Sequence, residues 1–292
     1  MKKAFLLFLF LLVGTAWTHA HWKTRDFSMV TNFNVKCDSG CTRLRFLMLI
    51  PRTHPGVQEV HSTSFNIQPA KVYTEHNTTF AEFNFEHPAR DFTITVKTEG
   101  RLYNNDYASN RRQPPVHPDS LAAFLQSTQM CEADSPQIRA LAGRIMKRKK
   151  SAIGRIGDIW SRVHGIKYVY GPPKSALEML RSGEGCCTGK SNLFIALCRA
   201  CGIPARLYSG IAAREAHAWP EAYVDGRGWV KFEPTHTDET DYKRINGSHI
   251  RLSDGRFTFM GMDTDTRYRY WYWGTAPSVD EAYQFVIYGE ED

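Results

Sequence analysis

The chain has 292 residues, 42% of them hydrophobic and 13% aromatic, so it can build real cores and is not a disordered polymer. Its formal charge of +7 is mild over this length and gives no argument for nucleic-acid binding. The length fits one large or two ordinary domains.

Lys2 and Lys3 precede an apolar run from Ala4 to Val13, and small residues lead out to Thr18-His19-Ala20. A basic start, a short apolar stretch and a small-residue exit predict a cleaved secretory signal over residues 1–20. The run is too short to span a bilayer, which takes ~20 apolar residues. No other segment is apolar enough to cross one. Export places the protein where disulfides persist.

Residues 21–110 read as a β-sandwich. Phe33 and Val35, then Leu44, Phe46, Met48 and Ile50, recur at period two, and Phe80–Phe85 and Phe92–Val96 repeat the habit. Cys37 and Cys41 flank a tight turn between two such strands, where a disulfide is expected. Residues 111–118, rich in Pro and Arg, form a linker. Helical periodicity then takes over. Asp119 or Ser120 is the expected cap of a short helix, and Ile138, Leu141, Ala142 and Ile145 share one face of a second. The basic run Lys147–Lys150 is expected to be a solvated helix end. A third helix covers Ile153–Val163, and a fourth runs from Ser175 to Leu180 before Gly183.

The stretch from Gly183 to Pro204 carries the chemistry. A glycine-rich approach leads into an apolar helical face of Leu193, Ala196, Leu197 and Ala200. Cys186 and Cys187 therefore start a helix, where unpaired backbone N–H groups and the dipole are expected to lower a thiol pKa. The same N–H groups can hold a developing oxyanion. Downstream, Ala216–Val224 and Trp229–Thr235 flank a glycine-rich turn and read as a β-hairpin. It offers His217 on one strand and Glu233 on the next. Strand parity tests this pair. An even turn puts His217 and Glu233 on opposite faces, whereas an odd turn or one bulge brings them together, and the odd register is expected.

Three ordered blocks resemble the transglutaminase-like superfamily: the Gly-x-Gly-Cys-Cys-Thr segment, His217-Ala-Trp-x-Glu, and Gly228-Trp-Val-x-x-Glu-Pro-Thr. The resemblance implies a papain-like α+β core with a Cys-His-acid triad, helices packed on an antiparallel sheet, extending over residues 119–292. It carries over to Cys187, His217 and Glu233; Cys187 is chosen over Cys186 because Ser191 and Leu193 then fall at the family's small and Leu positions. Glu233 departs from the usual Asp by one methylene. The resemblance further implies a secreted cysteine enzyme acting on protein or peptide amides through a thioester, released to water or to an amine.

Around these residues, the backbone N–H of Cys187 is an oxyanion candidate, Trp219 is expected to wall the cleft, and Tyr168 and Tyr170 are candidates for the cleft or the oxyanion site. The alternative is a non-catalytic binding module on the same fold. Cys198-x-x-Cys201 lies at a helix end and lacks further ligands, so no metal or cofactor is expected. The aromatic tail from Ile250 to Tyr288 is read as strands that complete the sheet carrying His217 and Glu233. Of seven cysteines, Cys187 is the one expected to stay unpaired.

Overall fold

The computed structural model describes residues 22–109, 116–148, 150–212, 215–256, 258–263 and 266–288. The expected signal over residues 1–20 lies outside these, as does most of the expected linker over 111–118.

Alternation builds the first unit. Strands β1 (Thr24–Lys36), β2 (Cys41–Ile50), β3 (Gln58–Phe65), β4 (Lys71–Glu75), β5 (Thr78–Glu86) and β6 (Asp91–Tyr103) follow one another. In β1, Phe27, Met29, Thr31, Phe33 and Val35 are buried while the residues between them stay more open, as a strand with one face in a core requires. The sandwich is closed by the end of the chain. Strand β16 (Ser278–Tyr288) pairs antiparallel with β1, and β15 (Tyr268–Gly274) pairs antiparallel with β2. Two four-stranded sheets result, in the orders β16-β1-β6-β3 and β15-β2-β5-β4.

This pairing corrects the expected role of the tail, which does not extend the sheet of His217, and it removes the tail from a continuous 119–292 domain. Alternation correctly marks strands with one buried face, but it does not say which sheet supplies the neighbour. The neighbour is set by length and by side-chain partners. β16 matches β1 over 11 residue pairs, from Asp26↔Tyr288 to Lys36↔Ser278. β15 lays Trp271 and Trp273 opposite Arg45 and Arg43 of β2, with the Arg43 guanidinium 3.4 Å above the Trp273 ring.

The second unit is thus an insertion between β6 and β15. Its first helix, α1 (Pro118–Ala122), is capped by His117 rather than by Asp119 or Ser120, because Pro118 occupies the first helical turn. Helix α2 (Pro136–Met146) buries the expected face of Ile138, Leu141, Ala142 and Ile145. Helix α3 (Ala152–His164) follows, and its Asp158 takes Arg148 at 3.3 Å and Lys150 at 2.8 Å, so the basic run ends as a solvated helix terminus. Two-residue strands β7 (Lys167–Tyr168) and β8 (Glu184–Gly185) pair in parallel around α4 (Ala176–Ser182). A Ser175–Glu178 capping box starts α4, and Gly183, at φ +68°, stops it.

Helix α5 (Cys187–Ala200) runs through the middle of this unit, buried from Thr188 to Cys198. It packs on an antiparallel sheet of β11 (Gly228–Lys231), β10 (Glu215–Val224), β9 (Ala205–Ala212) and β12 (His249–Asp254), in that order. Ala218 and Ala222 of β10 belong to the core around α5. Ile211, Ile250 and Leu252 instead share a core with Phe27, Leu47, Leu49 and Phe80 of the sandwich. A small hairpin of β13 (Thr258–Phe259) and β14 (Met262–Asp263) leads back to β15.

All seven cysteines are free thiols. The expected Cys37–Cys41 bridge is not formed. Both side chains are buried, and the Cys41 thiol donates to the Arg43 carbonyl at 3.8 Å. Burial and then the Cys41 sulfur push the Cys37 thiol up to about 11. Cys187 is therefore not singled out by being the unpaired one.

Candidate active site

Cys187 is the first residue of α5, and Cys186 is its extended N-cap. Gly185 and Gly189 let Met179 of α4 lie against this helix start: a Cβ at Gly185 would meet the Met179 sulfur at 2.6 Å. One turn along α5, the Ser191 hydroxyl donates to the Ala218 carbonyl at 3.1 Å. That bond docks the helix start on β10 at the residue after His217. Cys187 and His217 consequently line one cavity of about 600 Å³.

The hydrogen bond with Cys186 and then burial push the Cys187 thiol up, while the backbone of Ala218 draws it down. The lowering expected from the helix start is outweighed. The resting group is a thiol, and it needs a base to become a nucleophile.

The hairpin takes the odd register. Val224 pairs with Gly228 around a three-residue turn, Glu221 pairs with Lys231, and the Phe232 N–H reaches the Pro220 carbonyl at 3.0 Å. Glu233 follows on the side of His217, and His217 Nε2 lies 2.8 Å from Glu233 Oε2. On the other side of β10, His217 faces Gly210 of β9. A Cβ there would lie 1.9 Å from the Ile250 carbonyl, so glycine is what lets β12 approach.

Glu233 is fully enclosed. Its Oε1 accepts the Thr235 N–H at 2.8 Å and the His236 N–H at 3.3 Å, and its Oε2 meets His217 and, at 3.0 Å, His249 Nε2. Burial favours the neutral acid, but the charge of His217 and the hydrogen bonds from His217 and His249 hold the carboxyl well below the usual range. The carboxylate caps its own turn with one oxygen and reaches His217 with the other. The turn is fixed from behind. Trp160 Nε1 donates to the Glu233 carbonyl at 2.8 Å, and the buried Lys190 ammonium donates to the carbonyls of His164 at 3.1 Å and Pro234 at 3.4 Å.

Of the cleft candidates, Tyr168 and Tyr170 line the cavity with Cys187 and are exposed, Tyr170 at 89%. Strands β7 and β8 hold Tyr168 there, and burial followed by the nearby Cys187 sulfur pushes its phenol up to about 12. Trp219 is corrected: it is wholly buried and does not line the cavity. It lies under His217, with ring centroids 6.2 Å apart, and is covered by Tyr208 and His249. The far wall comes from the sandwich, as Arg267, Tyr268 and Tyr283.

Sequence reasoning missed His236, Lys190 and His249. The alternation His249, Arg251, Ser253 marks a strand face, but nothing local ties it to Glu233, 16 residues away.

His217, Glu233 and His236 bring three donor atoms within 4.8 Å of one another, a composition that suits a divalent ion. His217 Nε2 already sits on Glu233 Oε2 at a hydrogen-bonding distance of 2.8 Å, so an ion held by these donors would have to displace that bond. The donor set fits a hydrogen-bonded network better than a metal cage. Cys198 and Cys201 are buried in the core around α5, where burial pushes both thiols up.

The transglutaminase core of the family described as the transglutaminase-like superfamily matches residues 139–234. Comparison with curated proteins gives no match. Among solved structures, a candidate cysteine protease from Cytophaga hutchinsonii is similar over 94% of this chain and 94% of that one, at a TM-score of 0.65 and 16% identity, which is a likeness of fold. The periplasmic domain of TgpA from Pseudomonas aeruginosa aligns over 66% of this chain and 69% of that one, at a TM-score of 0.39 and 17% identity.

Proposed function

Residues 139–234 match the transglutaminase-like superfamily, and from that premise we propose that the chain is a cysteine enzyme acting on amide bonds of protein or peptide substrates through a thioester. The observation that carries the reading is the arrangement of His217. Its Nε2 is taken by Glu233 at 2.8 Å, which leaves Nδ1 for the thiol of Cys187 on the same cavity. Cys187 Sγ attacks the carbonyl carbon and passes its proton to His217 Nδ1. The carbonyl π-pair moves to oxygen, where the backbone N–H of Cys187 at the helix start receives the charge. Collapse to the thioester expels the amine, which takes the proton back from His217. Water or a second amine then attacks the thioester, and the thiol is restored.

Neither feature that would favour a binding module is found: Cys186 and Cys187 are not bonded to each other, and His217 lines the cavity of Cys187. Tyr268 and Tyr283 make the sandwich part of the substrate cleft. The description of the Cytophaga neighbour as a candidate cysteine protease agrees with water as the acceptor. The apolar N-terminal run supports export, and among the described residues no helix is long and apolar enough to cross a membrane.

Iodoacetamide labelling is the first test: it should vanish in Cys187→Ala and persist in Cys186→Ala, and the reverse result sinks the assignment. Incubation with casein and a labelled primary amine then separates cleavage from amine incorporation; neither product would turn the reading toward binding.

A further inference from the structure

Strand β12 is the element that neither the motif blocks nor the thioester mechanism uses, yet it delivers a second imidazole to Glu233. We propose that His249 is a positioning residue: its Nε2–H holds the Glu233 carboxylate in the orientation that fixes His217 for Cys187. The inference rests on the assignment of Cys187, His217 and Glu233 as the reacting set.

The argument starts from acceptor capacity. An ionised carboxylate offers about four lone-pair positions, two per oxygen. Glu233 has four donors. Thr235 N–H and His236 N–H fill Oε1 at 2.8 and 3.3 Å, while His217 Nε2 and His249 Nε2 fill Oε2 at 2.8 and 3.0 Å. The two imidazoles share one oxygen, so each limits how far the carboxylate can turn toward the other. Without His249, one position of a fully buried anion is empty, and the carboxylate can rotate away from His217.

The tautomer of His249 follows from the carboxylate that Nε2 faces. Nδ1 lies 3.4 Å from the Lys231 ammonium and 3.3 Å from the Gly247 carbonyl. Glu233 Oε2 is a carboxylate oxygen and only accepts, so the Nε2 facing it at 3.0 Å carries the proton; the Nδ1 lone pair then accepts from the Lys231 ammonium, and the Gly247 carbonyl, itself an acceptor, makes no hydrogen bond with it. The charged and titratable groups around His249 are Lys231 of β11, His217 of β10, and Glu233 and His236 of the turn, the last with its ring centre 6.2 Å away. Burial, followed by Lys231, pushes His249 down to about 3, so the ring stays neutral through the physiological range. Burial also lowers Lys231 to about 8, which leaves it mainly charged at pH 7. His249 is thus a fixed neutral donor.

The test measures the alkylation rate of Cys187 by iodoacetamide between pH 4 and 9 in the wild type, His249→Phe and His249→Gln. Phe keeps the ring volume and removes the donor; Gln returns an N–H near the place of Nε2. His249→Phe should slow alkylation at pH 7 by about 10-fold or more. It should also move the acid limb of the profile to higher pH, because Glu233 loses a hydrogen bond that favours its anion. His249→Gln should recover to within about 3-fold of the wild type. A wild-type profile in His249→Phe, or equal impairment in both variants, overturns the inference alone. A wild-type Cys187 that does not react overturns the catalytic assignment and the inference with it.

If His249→Phe does not fold, nitrogen chemical shifts of the histidine-labelled wild type decide. They should show His249 neutral and protonated on Nε2 from pH 5 to 8. A proton on Nδ1 or a charged ring is incompatible with the proposed role.

Discussion

Two carboxylates, Glu221 on β10 and Glu233 just past the end of β11, are buried to the same degree and do different work. Glu221 and Glu233 are 0% and 1% exposed, and both are held below the usual carboxylate range against the cost of burial. Glu221 accepts from Arg206 at 2.9 and 3.1 Å, from Asn105 at 2.7 Å, and from Arg251. The guanidiniums rest on aromatic rings, Arg206 4.0 Å above Trp229 and Arg251 3.8 Å above Tyr208. These partners never change charge, and the cluster pins β10 to β12 and to the segment after β6. Glu233 is instead surrounded by imidazoles, the one side chain whose ordinary pKa lies near neutrality, and one of them opens onto a cavity beside a thiol. Burial and a depressed pKa therefore do not mark a site by themselves. What separates the two groups is whether the partner can exchange a proton and whether a substrate can reach it.

The comparison breaks most easily at Glu233→Gln. The amide oxygen can keep the Thr235 and His236 N–H groups, so the turn should hold. Its NH₂ then faces His217 Nε2, which must become an acceptor, and the ring proton moves to Nδ1, where it blocks acceptance from the thiol. The alkylation rate of Cys187 should fall on the order of 10²–10⁴-fold, with stability lowered by about 1–3 kcal/mol because the His249 Nε2–H also loses its acceptor. A variant that unfolds while its folded fraction reacts normally would place Glu233 with Glu221.

Glu221→Gln should do the opposite. It leaves two guanidiniums in the interior without their anion, at a cost of about 3–5 kcal/mol of stability, while alkylation of the folded fraction stays within about 2-fold of the wild type. The pH dependence has a fixed sign. The Glu221 carboxyl is lower in the folded chain than its ordinary 4.5. Its contribution is therefore complete above that value and is lost as pH falls through the folded value. Denaturation of wild type and variant should differ fully at pH 7 and converge on acidification below about pH 4.5.

The two carboxylates were not equally legible in the sequence. Glu233 was readable because three ordered motif blocks resemble those that carry a nucleophile, a base and an acid, and because the odd hairpin register, the expected one of the two, brings the last two to one side. Glu221 lies in the same hairpin, yet Arg206 and Arg251 reach it through strand neighbours that no local pattern specifies. The same lack of long-range information hid His249, and it sent the tail to the wrong sheet. Alternation in Tyr268–Trp273 states that a strand has two faces, but pairing with β2 is decided by cross-strand contacts such as Arg43 with Trp273. Trp219 was misplaced for a related reason: its proximity to His217 is a local fact, whereas its cover by Tyr208 and His249 is not.

A smaller effect sharpens the contrast from behind the site. Trp160 bonds the Glu233 backbone, donating from Nε1 to the carbonyl at 2.8 Å, while its ring stacks on His164 with centroids 4.3 Å apart. Trp160→Phe keeps an aromatic ring for the stack and removes the donor, leaving a buried carbonyl unsatisfied at a cost of about 1–3 kcal/mol. The carboxylate keeps all four of its own donors, and Lys190 still holds the next carbonyl, at Pro234. If Glu233 acts through the placement of its carboxylate, most of the Trp160→Phe loss should appear in thermal stability, with alkylation of Cys187 slowed by less than about 5-fold and an unshifted pH profile. A shifted acid limb in Trp160→Phe would mean that the turn itself, and not the donors on the carboxylate, sets the ionisation of Glu233.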